Sequence, residues 1–177
     1  LDKAIYRVTD GCHTCAALKH APHTIKEQST SDSPPIVGVT FAADILKRNR
    51  QLILVVRECV TSYTAALHVE DEKHNTLRDT LIRLCIEIRP LDGPHAVIRT
   101  DPAPAFKSLV NDATLHHHRI TLELGHDKNV NKNPVGERAV QELEEELRRL
   151  EPRGGPVSTT MLAIATAQLN SRIRSRG

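Results

Sequence analysis

Hydrophobic and polar positions divide the chain into two textures. Through residues 1–35 no apolar period is sustained, and the stretch closes in Ser29-Thr30-Ser31-Asp32-Ser33-Pro34-Pro35, punctuation that reads as a linker. From Ile36 the pattern becomes regular. Three runs rich in Val, Ile, Leu, Thr and Tyr, at residues 36–46, 51–60 and 62–69, are joined by the polar tips Lys47-Arg48-Asn49-Arg50 and Thr61-Ser62, which predicts an antiparallel three-stranded meander. At Asp71 the period lengthens to that of a helix: Leu77, Leu81, Leu84, Cys85 and Ile88 form one stripe, and Pro90 stops it. Ala96-Val97-Ile98 predicts a buried strand running to Asp101, a shorter helix covers Phe106 and Leu109, and residues 120–124 alternate as a further strand. After a polar loop, Asn133-Pro134 supplies the N-cap and first-turn chemistry of a long helix with Val140, Leu143, Leu147 and Leu150 as its stripe; a last helix covers about residues 159–172. Helices interleaved with strands after an antiparallel start predict an α/β fold, a mixed sheet covered on both faces.

Composition narrows the options. The chain has 177 residues, enough for one sizeable domain with a small appendage, and 24 Lys+Arg against 22 Asp+Glu leave a formal charge of +2. With no Trp, two Tyr and two Phe, a binding mode built on rows of aromatics stacked on bases is excluded. The longest apolar run, around Leu52–Val56, is strand-sized, so a soluble protein with no membrane partner is expected. A first residue other than Met suggests a fragment. Of the four Cys, Cys12 and Cys15 form a C-x-x-C that suits a metal or redox pair better than a disulfide framework, and a reducing, intracellular compartment follows.

Two Asp occupy positions where an α/β sheet exposes its functional edge. Asp44 is embedded in the apolar run Val39-Thr40-Phe41-Ala42-Ala43-Asp44, and Asp101 ends Val97-Ile98-Arg99-Thr100-Asp101. A charge in an apolar strand costs several kcal/mol of desolvation unless it is paired or ligated. Glu137, one turn into the helix opened by Asn133-Pro134, is the candidate third ligand. Three hard oxygen donors suit Mg²⁺ or Mn²⁺, and such clusters commonly hold two ions that clamp the attacking and leaving oxygens of a phosphodiester. The chemistry implied is phosphoryl transfer.

These residues resemble the catalytic core of a retroviral or long-terminal-repeat retrotransposon integrase, with the gypsy-like class fitting best. Residues 102–136, thirty-five positions, separate Asp101 from Glu137, the Asp-Asp-35-Glu spacing of that family; Phe106 matches its Asp-x4-Phe pattern, and Asn131-Lys132-Asn133-Pro134-Val135-Gly136-Glu137-Arg138 resembles the loop leading into its Glu helix. Cys12 and Cys15 look like the second half of the His-His-Cys-Cys zinc domain that precedes the core, which divides the chain into a zinc-module remnant (1–28), a linker (29–35) and a catalytic core (36–177). The resemblance implies a ribonuclease-H-like fold with a five-stranded mixed sheet. It also implies Asp44, Asp101 and Glu137 as catalytic ligands of two Mg²⁺ or Mn²⁺, and Zn²⁺ at the N-terminal module once its upstream ligands are supplied. The activity implied is trimming of element DNA 3′ ends and their joining to target DNA, by a homo-oligomer acting in the nucleus. The alternatives are a catalytically silent descendant that binds DNA or protein, and a ribonuclease H-type nuclease.

The chain departs from the family in places. Pro102-Ala103 stands where Asn-Gly is frequent, Trp is absent near the first Asp, and Gln141 and Glu144 occupy helix positions where retroviral members often present Lys. Arg138, Arg148 and Lys132 remain as candidate contacts to nucleic acid, with Arg172, Arg174 and Arg176 as a positive tail. His20 and His23 are a weaker completion of the Cys12–Cys15 site. His116-His117-His118 reads as a solvated turn, Lys47–Arg50 as a solvated tip, Glu142, Glu144, Glu145 and Glu146 as a wet helix face with Glu145 paired to Arg149, and Cys59 and Cys85 as buried thiols.

Overall fold

A computed structural model describes residues 36–90, 92–125 and 133–172. Ten elements follow in chain order: strands β1 (Thr40–Arg48), β2 (Gln51–Glu58) and β3 (Thr64–Val69), helix α1 (His74–Ile88), β4 (Ala96–Thr100), short helices α2 (Pro104–Lys107) and α3 (Ala113–His117), β5 (Ile120–Leu124), and helices α4 (Pro134–Leu150) and α5 (Thr159–Ser171). The sheet order is β3-β2-β1-β4-β5, antiparallel on the β1–β2–β3 side and parallel from β1 through β4 to β5. The meander supplies the antiparallel half because short turns suffice there, Asn49 and Arg50 between β1 and β2 and residues 59–63, longer than the expected Thr61-Ser62 tip, between β2 and β3; each parallel step needs a helical crossover, which α1 and then α2–α3 provide.

Alternation along the central strands feeds two cores. Phe41, Ala43, Leu54, Val56 and Ile98 pack beneath Leu77, Leu81 and Leu84 of α1. On the other face Leu46, Ile53 and Val55 meet Ala139, Leu143 and Leu147 of α4 and Leu162, Ala165 and Leu169 of α5. This α/β/α sandwich puts β1 at the centre, covered on both faces.

Several element edges differ from the sequence reading. β1 starts at Thr40 rather than residue 36, because Gly38 turns the chain at φ +81° and its N–H donates to the buried Glu58 carboxylate at 3.2 Å, leaving Ile36 and Val37 exposed outside the sheet. β1 also runs on to Arg48, so only Asn49 and Arg50, both at positive φ, make the tip. Arg48 is not solvated as expected: it is buried and donates to the Glu151 carbonyl at 3.1 Å. The single helix expected around Phe106 and Leu109 is two, and His116 and His117 close α3 instead of forming a turn, since Asp112 caps that helix by accepting from the Leu115 N–H at 2.9 Å. Cys85 is buried as read, whereas Cys59 is only partly so.

Candidate active site

Asp44 and Asp101 are brought level by the β1–β4 register. The parallel ladder pairs Thr40 with Val97, Phe41 with Ile98 and Ala42 with Arg99, and stops there. Two further residues along each strand stand Asp44 and Asp101, on the same face by the two-residue period. Beyond Ala42, β1 keeps only its antiparallel partner, Asp44 lying opposite Val55. The parallel ladder therefore ends where two carboxylates come opposite each other, Asp44 midway along β1 and Asp101 just past the carboxyl end of β4, on the side of the parallel pairing at which open α/β sheets carry their ligand sites.

Asn133 delivers the third carboxylate. Its side chain, 4% exposed, works from both ends: Oδ1 accepts from the Gly136 N–H at 3.3 Å as the N-cap of α4, and Nδ2 donates to the Ala43 carbonyl at 2.9 Å, next to Asp44. A Cβ on residue 136 would lie 2.3 Å from Asn133 Nδ2, so only glycine lets the cap reach β1. Pro134 preorganises the first turn, and Glu137, exposed, follows within it. The positive end of the helix dipole thus faces the acidic edge.

The electrostatics agree with this placement. Burial, chiefly, pushes the Asp44 carboxyl up to about 6; the negative charges of Asp101 and Glu137 add to the rise, and the Ile45 N–H, donating to Asp44 Oδ1 at 2.8 Å, works against it. Asp101 Oδ1 is buried and has no hydrogen-bond partner among the described residues. An orphaned carboxylate oxygen beside a half-buried carboxyl held up by like charges is a donor set that a divalent cation would satisfy. Among the described residues, no three His, Cys, Asp or Glu side chains have closed to ligating range, so the cluster is open. The described cavity, about 100 Å³ lined by Cys85, Arg89, His117 and Arg119 among others, lies by the start of β5, at the opposite end of the parallel strands.

The expected nucleic-acid contacts fare unevenly. Arg138 is exposed on the first turns of α4, while Arg148 is paired with Glu144 at 2.8 Å. Lys132, Cys12, Cys15, Arg174 and Arg176 lie outside the described residues. Arg172 pairs with Glu146, which is 3% exposed. The acidic run on α4 is therefore not a wet face: Glu146 is buried between Arg149, at 2.5 Å, and Arg172, and Glu142 pairs with the buried Arg57 at 2.5 Å. Arg149 thus pairs with Glu146 rather than Glu145. Sequence reading missed Arg57 and the second role of Asn133. Arg57 had a signal, a charge at the end of the apolar run Leu52–Val56, the same signal that marked Asp44.

No protein-family model matches the sequence, and no curated protein matches it. Solved structures do. The catalytic core domain of BIV integrase superposes with a TM-score of 0.62 at 19% identity, covering 78% of this chain and 87% of that one. A chain of the simian T-cell lymphotropic virus intasome, solved in complex with a PP2A regulatory subunit, superposes with a TM-score of 0.71 at 16% identity. That match covers 99% of this chain, which spans 63% of the other's length. The five-stranded mixed sheet with its flanking helices is accordingly the ribonuclease-H-like fold of retroviral integrase catalytic cores.

Proposed function

We propose that the chain is the core of a polynucleotidyl transferase of integrase type, which trims element DNA 3′ ends and joins them to target DNA. The observation that carries this reading is the end of the β1–β4 ladder, where Asp44 and Asp101 come level and Asn133 ties the start of the Glu137 helix to Ala43. In this reading Asp44, Asp101 and Glu137 hold two Mg²⁺ or Mn²⁺. Bound there, the ions would activate the attacking oxygen and offset charge on the leaving oxygen of the phosphodiester. The residues' own work is to present oxygens at fixed positions, Asp44 within β1, Asp101 directly after β4 and Glu137 in the first turn of α4. Water attacks in the trimming step and a DNA 3′-hydroxyl in the joining step; one site serves both because each is a displacement at phosphorus. Arg138, and Lys132 six positions before it in the sequence, are the proposed contacts to DNA phosphates, and self-association into a homo-oligomer is part of the proposal.

A catalytically silent binding module on the same fold is the second reading, favoured by the open cluster. Strand joining of an element-end oligonucleotide with Mg²⁺ or Mn²⁺ decides between them. Activity in the parent chain that Asp44→Asn abolishes is the expected result; joining undiminished in that variant sinks the first reading, and DNA binding with no metal-dependent turnover establishes the second.

A further inference from the structure

Arg57, on β2 and 2% exposed, carries a tie that stability alone does not explain. Its Nη2 donates to Glu142 Oε2 on α4 at 2.5 Å and its Nε to Thr64 Oγ1 on β3 at 2.9 Å. Thr64 is in turn held by Asn170 of α5, which accepts from its N–H at 2.8 Å and donates to its carbonyl at 2.7 Å. A polar seam thus runs through an otherwise apolar contact, where Ala139, Leu143 and Leu147 of α4 face Leu46, Ile53 and Val55 of the sheet. Aliphatic side chains repack with little preference among neighbouring registers, whereas a directional, charge-assisted bond fixes one. Taking a guanidinium and a carboxylate out of water costs several kcal/mol, and apolar replacements of such pairs are often neutral or stabilising.

The tie is placed where register matters. Arg57 pairs across the β1–β2 ladder with Ala42, two residues along β1 from Asp44, and Glu142 lies five residues along α4 from Glu137. At the helix start, Asn133 makes the second attachment, to Ala43. At the other end of the helix, Arg48 of β1 donates to the Glu151 carbonyl at the C-cap of α4 at 3.1 Å; the two end attachments fix the slide of the helix, and the Arg57–Glu142 tie, on its side, fixes its rotation. We infer that Arg57 and Glu142 are positioning residues, setting the register of α4 on the sheet and so the place of Glu137 relative to Asp44 and Asp101. The inference rests on the metal-dependent reading of that site for its consequence, but not for the geometry it claims.

The test replaces both partners, Arg57→Met with Glu142→Met, so that no buried charge is left unpaired. Thermal unfolding of this double variant should stay within a few degrees of the parent chain. Its crystal structure should show the first turn of α4 displaced on β1 by about 1 Å or more, a shift large enough to spoil a catalytic constellation. Mn²⁺ affinity, read from the electron paramagnetic resonance of the free ion, should fall by about 10–100-fold, the usual loss when a residue supporting metal ligands is removed. A superimposable α4 with parental Mn²⁺ affinity overturns the inference. If the double variant does not fold, Glu142→Gln keeps the volume and one hydrogen bond, and should show the same losses in smaller measure; parental values in it count equally against the tie. If the parent chain binds Mn²⁺ no better than Asp44→Asn does, the metal reading has failed, and the α4 displacement alone decides the positioning role.

Discussion

Asn133 and Gly136 act as one device, and their coupling has a sign that can be read. Asn133→Ala removes an N-cap, about 0.5–2 kcal/mol, together with the bond to the Ala43 carbonyl, about 1 kcal/mol more. Gly136→Ala should destabilise the parent chain, because its Cβ would displace the Asn133 amide. In the Asn133→Ala background the same change should become neutral or stabilising, since the obstruction is gone and alanine favours a helix by up to about 1 kcal/mol over glycine. Urea unfolding of the four proteins checks the reversal. Asp44 gives a second prediction at this scale. Its proton is held more tightly in the folded than in the unfolded state, so folding is favoured at low pH by this group, and that contribution is lost as pH rises from about 4 through about 6. Asp44→Asn should therefore leave stability unchanged near pH 3.5 and raise it at pH 8, by about 1–2 kcal/mol once partial solvent exposure is allowed for. Equal melting shifts at both pH values would contradict the cause assigned to the rise. Metal affinity should climb over the same pH interval, because the ligand must be ionised to bind.

At the level of elements, α4 shows what the sequence could and could not convey. Its start was legible, because Asn133-Pro134 followed by an apolar stripe has a local cause. Its orientation was less so: Val140 and Leu150, read as stripe positions, are only partly buried, while Gly136, Ala139 and Glu146 are buried. A run of four Glu over five residues suggests solvent, and this is reversed by Arg57 on β2 for Glu142 and, besides Arg149 nearby, by Arg172 beyond α5 for Glu146, both far off in sequence. Asp44 and Asp101 were legible from their strand positions, whereas the register that brings them level depends on how β1 and β4 pair. The corrected helix face makes a sharp contrast. Glu146→Ala should cost about 1–2 kcal/mol, since it strands Arg149 and Arg172 beside a small void, although both arginines can still reach water. Glu145→Ala, on an exposed position of the same helix, should change stability by less than about 0.5 kcal/mol. Matching urea midpoints for the two variants would restore the wet-face reading.

For the whole molecule, 24 basic and 22 acidic residues are nearly balanced, and among the described residues several pair on the surface: Lys47 with Glu72, Arg83 with Glu87, Arg99 with Glu123 and Arg148 with Glu144. The acidic edge is different in kind, because Asp44 is held up by burial and by its two carboxylate neighbours, and Asp101 Oδ1 has no hydrogen-bond partner among the described residues. A divalent ion that binds this edge only in the folded chain must raise global stability by mass action, by about 2.7 kcal/mol at a hundred times its dissociation constant. Thermal unfolding at pH 7.5 should thus shift upward with Mn²⁺ concentration and do so less with Ca²⁺, whose longer bonds and higher ligand number suit a three-carboxylate edge poorly. Asp44→Asn, Asp101→Asn and Glu137→Gln should each flatten the Mn²⁺ response. The metal-free Asp44→Asn protein should start from the higher melting temperature, because it no longer carries the buried charge. A Mn²⁺ response that survives all three substitutions would place the ion elsewhere and detach the acidic edge from metal chemistry. A response lost in all three, with metal-free Asp44→Asn the more stable protein, would tie the cost of carrying the Asp44 charge to the affinity for the ion.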